Sequence, residues 1–388
     1  MKMKKIKKFF AFALVATITL TSVSCSAIST FFAEKSDSQS DLEIESSNQI
    51  KNVILMIGDG MGKNHIRVGE IYKGEKLHMQ SLPFSVSVET CSADKEVTDS
   101  SAAATAMATG VRTNNSYVGI TPNGEELTTI VDIATWLGKS TGILTTEELY
   151  GGTPMGFSGH NLYRRNYEDL IVNATLTGNV DLFAGYTCTD EYKNTFNLNG
   201  YTEISSVGEI SENKEKKIFG FYPIKAEAKS MTAGESVAFD YLLTEALEYL
   251  SEDEDGFFLM AEGAHIDHGA ENNNLWWMLK ELLAFDNAVK VVLDWAANRD
   301  DTVVIVTADH ESGALELKEG LTKENMFETD DLNVPIYYSW GVKGHSSADV
   351  ACYIYGAEID FTQYSFATSD RIKNIDIFKI MKYCLTGQ

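Results

Sequence analysis

The chain has 388 residues, 44% of them hydrophobic, and a formal charge of -24. That length and apolar content suffice for a large packed core, in one large domain or in two to three smaller ones. So acidic a body repels phosphate backbones and argues against nucleic-acid binding, and chemistry on a phosphate ester would need cations to supply a local positive field.

In chain order, residues 1–27 read as a secretory signal. Lys2, Lys4, Lys5, Lys7 and Lys8 form a basic start, Phe9 to Leu20 an apolar stretch, and Ser24, Cys25, Ser26 and Ala27 a small-residue end. The apolar stretch is short for a membrane span, and a retained N-terminal anchor is the rival reading. Cleavage after Ala27 competes with lipid attachment at Cys25, for which Ser22 is an imperfect match three residues earlier. An extracellular or cell-surface location is expected, with membrane contact only through a lipid or an uncleaved signal. Without those five lysines the remainder carries about -29. Residues 28–50, rich in Ser, Asp and Glu after Phe32, suit a solvated tether.

Order is expected from Lys51, with residues 51–388 as one folded domain. Asn52 to Ile57 is a continuous apolar run that delivers Asp59 just beyond it, as a buried strand would. The shape recurs: Gly256 to Ala261 ends at Glu262, Thr302 to Thr307 ends at Asp309 and His310, and Ser140 to Thr146 is a weaker example. Helical patterns lie between them at 126–138, 234–250 and 272–298. Apolar runs alternating with helices predict an α/β fold, a three-layer sandwich whose central, largely parallel sheet is flanked by helices. Ligands of such sheets gather beyond the carboxyl ends of the strands, where these acids fall. Residues 187–217 break the pattern and read as a surface excursion, partly helical or irregular, while Trp276 and Trp277 read as core or sheet-facing packing. Cys91, Cys188, Cys352 and Cys384 show no zinc-knuckle spacing, and their pairing is open.

Singly, Asp59, Glu262 with Asp267, Asp309 with His310, and His345 have ordinary explanations, such as helix caps. Their coincidence on strands of one sheet points to metal: carboxylate plus imidazole suits Zn²⁺, and an all-oxygen set suits Mg²⁺. Ser100, after Asp99, opens an Ala-rich stretch that reads as a helix. A serine there would sit at the positive helix end, which favours an anionic phosphoryl group, although a capping role with Asp99 explains it too.

Five stretches in order resemble the alkaline phosphatases: Val53 to Gly62 (VILMIGDGMG), Thr98 to Gly110 (TDSSAAATAMATG), Glu262 to Asp267 (EGAHID), Thr307 to Gly313 (TADHESG) and Gly344-His345. Asn374 to Leu385 resembles that family's closing helix. The resemblance implies an exported phosphomonoesterase with two Zn²⁺ and one Mg²⁺, small phosphate monoesters as substrates, and a homodimer as an open option. It implies Ser100 as nucleophile and Arg164, with Arg165 the near miss, as phosphate clamp. Asp59 would bridge a zinc and the magnesium, with Thr153 and Glu262 completing the magnesium site. Asp309 and His310 would complete the zinc site beside Ser100, and Asp267 and His345 would belong to the second zinc.

Three departures follow from the same resemblance. Glu271 stands where a histidine ligand is usual, so the second zinc site would keep a carboxylate with altered preference, or be crippled. Gly151 replaces an acid or histidine near the magnesium site, and His268 follows Asp267. The alternatives are therefore a phosphate- and metal-binding homologue with impaired catalysis, or a phosphodiesterase on the same scaffold. No sulfatase-type Cys-x-Pro-x-Arg stretch is present.

Overall fold

A computed structural model describes residues 50–214, 216–226, 236–356 and 370–387. The signal, Cys25 and all but the last residue of the proposed tether lie outside the described residues. The strands are β1 (Asn52–Gly58), β2 (Phe84–Glu89), β3 (Ser140–Thr145), β4 (Leu182–Gly185), β5 (Thr202–Glu203), β6 (Ile218–Phe221), β7 (Phe257–Gly263), β8 (Thr302–Thr307), β9 (Glu311–Ser312), β10 (Leu315–Leu317), β11 (Tyr338–Trp340), β12 (His345–Ser346), β13 (Val350–Gly356) and β14 (Arg371–Lys373). The helices are α1 (Lys63–Lys73), α2 (Ser100–Thr109), α3 (Ile130–Trp136), α4 (Gly152–Ser158), α5 (Tyr167–Thr177), α6 (Asp190–Leu198), α7 (Phe239–Leu250), α8 (His265–Glu271), α9 (Leu275–Ala296) and α10 (Asn374–Thr386).

Ten strands form the central sheet in the order β14-β2-β13-β8-β1-β7-β3-β4-β6-β5. From β8 to β5 every pairing is parallel, and β13 alone runs against both of its neighbours. The sheet is thus the largely parallel one expected, with helices connecting its strands. Every residue of β1 is buried, as are all of β7 and β8, because helices cover both faces. Burying each of their aliphatic side chains contributes about 1.5–3 kcal/mol, which makes this the rigid centre of the molecule.

Register decides what these strands present. Ile57 of β1 lies level with Glu262 of β7 and Thr307 of β8, and Glu262 lies level with Thr145 of β3. Asp59, Glu262, Asp309 and Thr145 therefore leave the sheet at the same carboxyl edge.

Helix boundaries are tighter than the periodicity predicts, because caps set them. α3 starts only at Ile130, where the Thr129 side chain accepts from the Asp132 N–H and the Asp132 carboxylate accepts from the Thr129 N–H. α9 starts at Leu275, after Asn274 caps Trp277. The surface excursion expected at 187–217 is corrected: α6 and β5 close one edge of the sheet, and Phe196, Tyr201, Ile204, Val207 and Ile210 are buried there. Trp276 also differs from expectation, whereas Trp277 is half-buried. Trp276 is 45% exposed, edge-on to Tyr72 and Phe327, and Trp277 lies edge-on to the His268 ring. The four described cysteines are free thiols. Among the described residues no helix is long and apolar enough to cross a membrane.

Candidate active site

Ser100 is the first residue of α2, and Asp99 caps that helix by accepting the Ala102 N–H at 3.0 Å. Every residue of α2 is buried. The small side chains allow this, since Gly156 of α4 packs so closely that a methyl group there would lie 2.5 Å from the Ala104 methyl. Ser100 is thereby fixed at the sheet's carboxyl edge, with its Oγ 3.4 Å from His310 Nε2.

One group of donors beside it consists of Asp59, Asp309 and His310, all buried, with ligand atoms within 4.8 Å of one another. Asp309 Oδ1 accepts the Gly60 and His310 N–H groups at 3.1 and 2.9 Å. Its Oδ2 lies 3.2 Å from His310 Nε2, and Asp59 Oδ1 lies 3.5 Å from the same nitrogen. Neither Asp59 Oδ1 nor Asp309 Oδ2 has a hydrogen-bond partner. Burial and the neighbouring carboxylates hold Asp59 well above the usual range, and burial raises Asp309 as well. Burial, then the His345 charge, pushes His310 down to about 3, so its ring is neutral and offers a lone pair.

The second group comprises Asp267, His345 and the shared His310. The His310 and His345 rings stack with centroids 3.5 Å apart. His345 Nδ1 donates to the Thr98 carbonyl at 2.8 Å, which turns Nε2 toward Glu271 Oε1 at 3.3 Å and Asp267 Oδ1 at 3.8 Å. Burial alone would depress His345, but the Glu271 hydrogen bond and the Asp267 charge outweigh it and lift the ring to about 9. Ser312 donates to Asp267. Gly60 is required here: its φ is +68°, and a Cβ would come within 2.6 Å of the Asp267 carboxylate.

A third corner holds Glu262 and Thr153. Both are buried, Thr145 Oγ1 donates to Glu262 Oε2, and the Thr153 hydroxyl completes no hydrogen bond of normal geometry. Burial lifts Glu262 to about 7. Arg164 approaches from the loop before α5, with Nη1 3.3 Å from Asp99 Oδ2, while Arg165 is not part of this contact. Each site residue expected from the sequence thus lies at this one edge.

Other residues hold these in place, and of them only the cap at Asp99 was expected from the sequence. Asp99 caps α2, steadies Arg164 and accepts the Ser116 N–H at 2.9 Å. Ser312 braces Asp267, and Glu147 faces His268 at 3.4 Å. Ser312 was visible inside TADHESG, but Glu147 carried no signal beyond following β3. Crowded buried carboxylates with orphaned oxygens, beside neutral imidazole, are a donor set that divalent metal fits: imidazole with carboxylate in the first two groups, oxygen alone in the third.

The family model for alkaline phosphatase matches residues 50–187 and 210–333. Alkaline phosphatase 4 of Bacillus subtilis (strain 168) is 31% identical over 291 residues, which is 68% of this chain and 62% of that protein. The chain thus spans less than two thirds of that relative's length. Alkaline phosphatase 3 of the same organism is 30% identical over 333 residues, 80% of this chain and 71% of the relative. The alkaline phosphatase of the Antarctic bacterium TAB5 superposes with a TM-score of 0.72 at 27% identity, covering 87% of this chain and 98% of that one. A variant of that enzyme with Mg bound in its M3 site gives the same TM-score at 25% identity, again covering 87% and 98%.

Proposed function

Since the chain belongs to the alkaline phosphatase family, we propose that it hydrolyses small phosphate monoesters outside the cytosol through a phosphoserine formed on Ser100. The observation that carries the reading is Ser100 Oγ at the head of α2, 3.4 Å from His310 Nε2, at the meeting point of two donor groups that share His310. Asp59, Asp309 and His310 would hold one Zn²⁺, Asp267, Glu271 and His345 a second, and Asp59, Thr153 and Glu262 one Mg²⁺. When bound, these cations supply the positive field that makes a serine hydroxyl acidic and offsets phosphoryl charge.

The chain's own groups account for the rest. Ser100 Oγ gives its proton to solvent and attacks phosphorus in line, forming an O–P bond as the bond to the leaving alcohol breaks and the departing oxygen takes a proton from solvent. The first turn of α2 and the Arg164 guanidinium face the non-bridging oxygens, with Asp99 steadying that guanidinium. Water then attacks phosphorus from the side the alcohol vacated, breaking the bond to Ser100 and releasing inorganic phosphate. Glu271 Oε1 lies 3.3 Å from His345 Nε2 where a further imidazole would serve zinc, so impaired catalysis is the second reading. Export rests on the basic, apolar and small-residue pattern of residues 1–27.

The test is hydrolysis of a chromogenic phosphate monoester at alkaline pH by the purified chain supplied with Zn²⁺ and Mg²⁺. Ser100→Ala is expected to lower kcat at least about 10³-fold and to abolish phosphate trapped on that residue, read by mass spectrometry. A wild-type chain without turnover, or a Ser100→Ala chain that keeps it, defeats the reading.

A further inference from the structure

Glu147 lies just past β3 and takes no part in the reaction described above. Its backbone N–H donates to Thr145 Oγ1 at 3.1 Å, and that same hydroxyl donates to Glu262. The carboxylate of Glu147 acts electrostatically on both Asp59 and Glu262. Its Oε1 lies 3.4 Å from His268 Nε2 across the gap between β3 and α8. The Glu147 backbone is therefore tied through the Thr145 hydroxyl to Glu262, beside the corner where Thr153 Oγ1 and Asp59 Oδ1 are buried without hydrogen bonds of normal geometry. The guanidinium nearby, Arg164, is committed to Asp99, and His268 is partly exposed. Several acids together with two buried, orphaned oxygens are the setting of a hard divalent cation. Burial also pushes Glu147 up to about 7, although His268 opposes this. α4 brings no acid of its own, since its first turn contains none and Gly151 precedes it.

We propose that Glu147 is a further carboxylate of the Asp59–Thr153–Glu262 corner, latched by His268, and that it sets the affinity of that corner for Mg²⁺. The inference rests on the metal-dependent reading above. Glu147 is a positioning and charge-supplying residue rather than a catalytic one, because nothing brings it to Ser100. Its neutralisation weakens cation binding without removing any side chain that touches the phosphoryl group.

The test is Mg²⁺ uptake by the full chain, stripped of metal and reloaded with Zn²⁺, followed by equilibrium dialysis with elemental analysis. Glu147→Gln keeps the shape of the side chain and is expected to weaken Mg²⁺ binding at least about 10-fold, with zinc content and the Tm measured without Mg²⁺ unchanged. Glu147→Asp should recover most of the affinity, and Glu148→Gln should match wild type. Equal Mg²⁺ binding by wild type and Glu147→Gln overturns the assignment of Glu147 alone. A wild-type chain that takes up no divalent cation overturns the metal-dependent reading, and this inference with it.

Discussion

The two donor groups beside Ser100 share His310 and differ in almost everything else. Asp59, Asp309 and His310 are at most 6% exposed, and two of their oxygens bond to nothing. On the other side, Glu271 is half-buried, its carboxylate pairs with His345, and Ser312 satisfies Asp267. In the first group two backbone N–H groups satisfy Asp309 Oδ1 only, so an added cation is the partner its orphaned oxygens lack. The second already balances itself, with an imidazole raised to about 9 between two carboxylates. A cation entering there competes with the proton on His345; entering the first group it finds His310 neutral and competes instead with protons on the raised carboxyls, Asp59 above all.

The largest effect should come from the side with the orphaned oxygens. Asp309→Asn removes a charge that two backbone N–H groups position, and should cut both zinc retention and kcat at least about 100-fold. Near-wild-type zinc content in this variant would erase the contrast between the two groups.

The next effect is on stability. Glu262 stands near 7 against an ordinary 4.5, so in the metal-free chain the folded state keeps a proton that the unfolded state releases. A raised group contributes stability below its unfolded value and loses it as pH rises through the folded one. His345, raised from 6.5 to about 9, acts in the same direction at higher pH. The Tm of the metal-stripped chain should therefore fall between about pH 6 and pH 9, and Zn²⁺ with Mg²⁺ should flatten that slope. A metal-stripped Tm that rises across the same range would contradict the crowding of these carboxylates.

The smallest effect should come from the self-balanced side. Glu271→His exchanges a carboxylate for imidazole beside His345 and Asp267, and should tighten zinc retention there about 10-fold in a chelator competition. If zinc retention does not change while turnover rises, Glu271 limits the chemistry by some route other than metal affinity.

Much of this site was legible in the chain itself, because it depends on local pattern. The apolar runs of β1, β7 and β8 end at Asp59, Glu262 and Asp309, and strands buried on both faces read as such runs. The Asp99-Ser100 start of α2 is likewise local, because a cap is set by residues three apart. Tertiary structure decided what pattern cannot carry. The register of β1 against β7 and β8 sets which side chains are level, and the stacking of His310 on His345 joins two donor groups that the sequence keeps apart. The approach of Glu147 to His268, the brace from Ser312 and the exposure of Trp276 are of the same kind. Each depends on how segments far apart in the chain pack together, whereas periodicity and capping report only the few residues on either side.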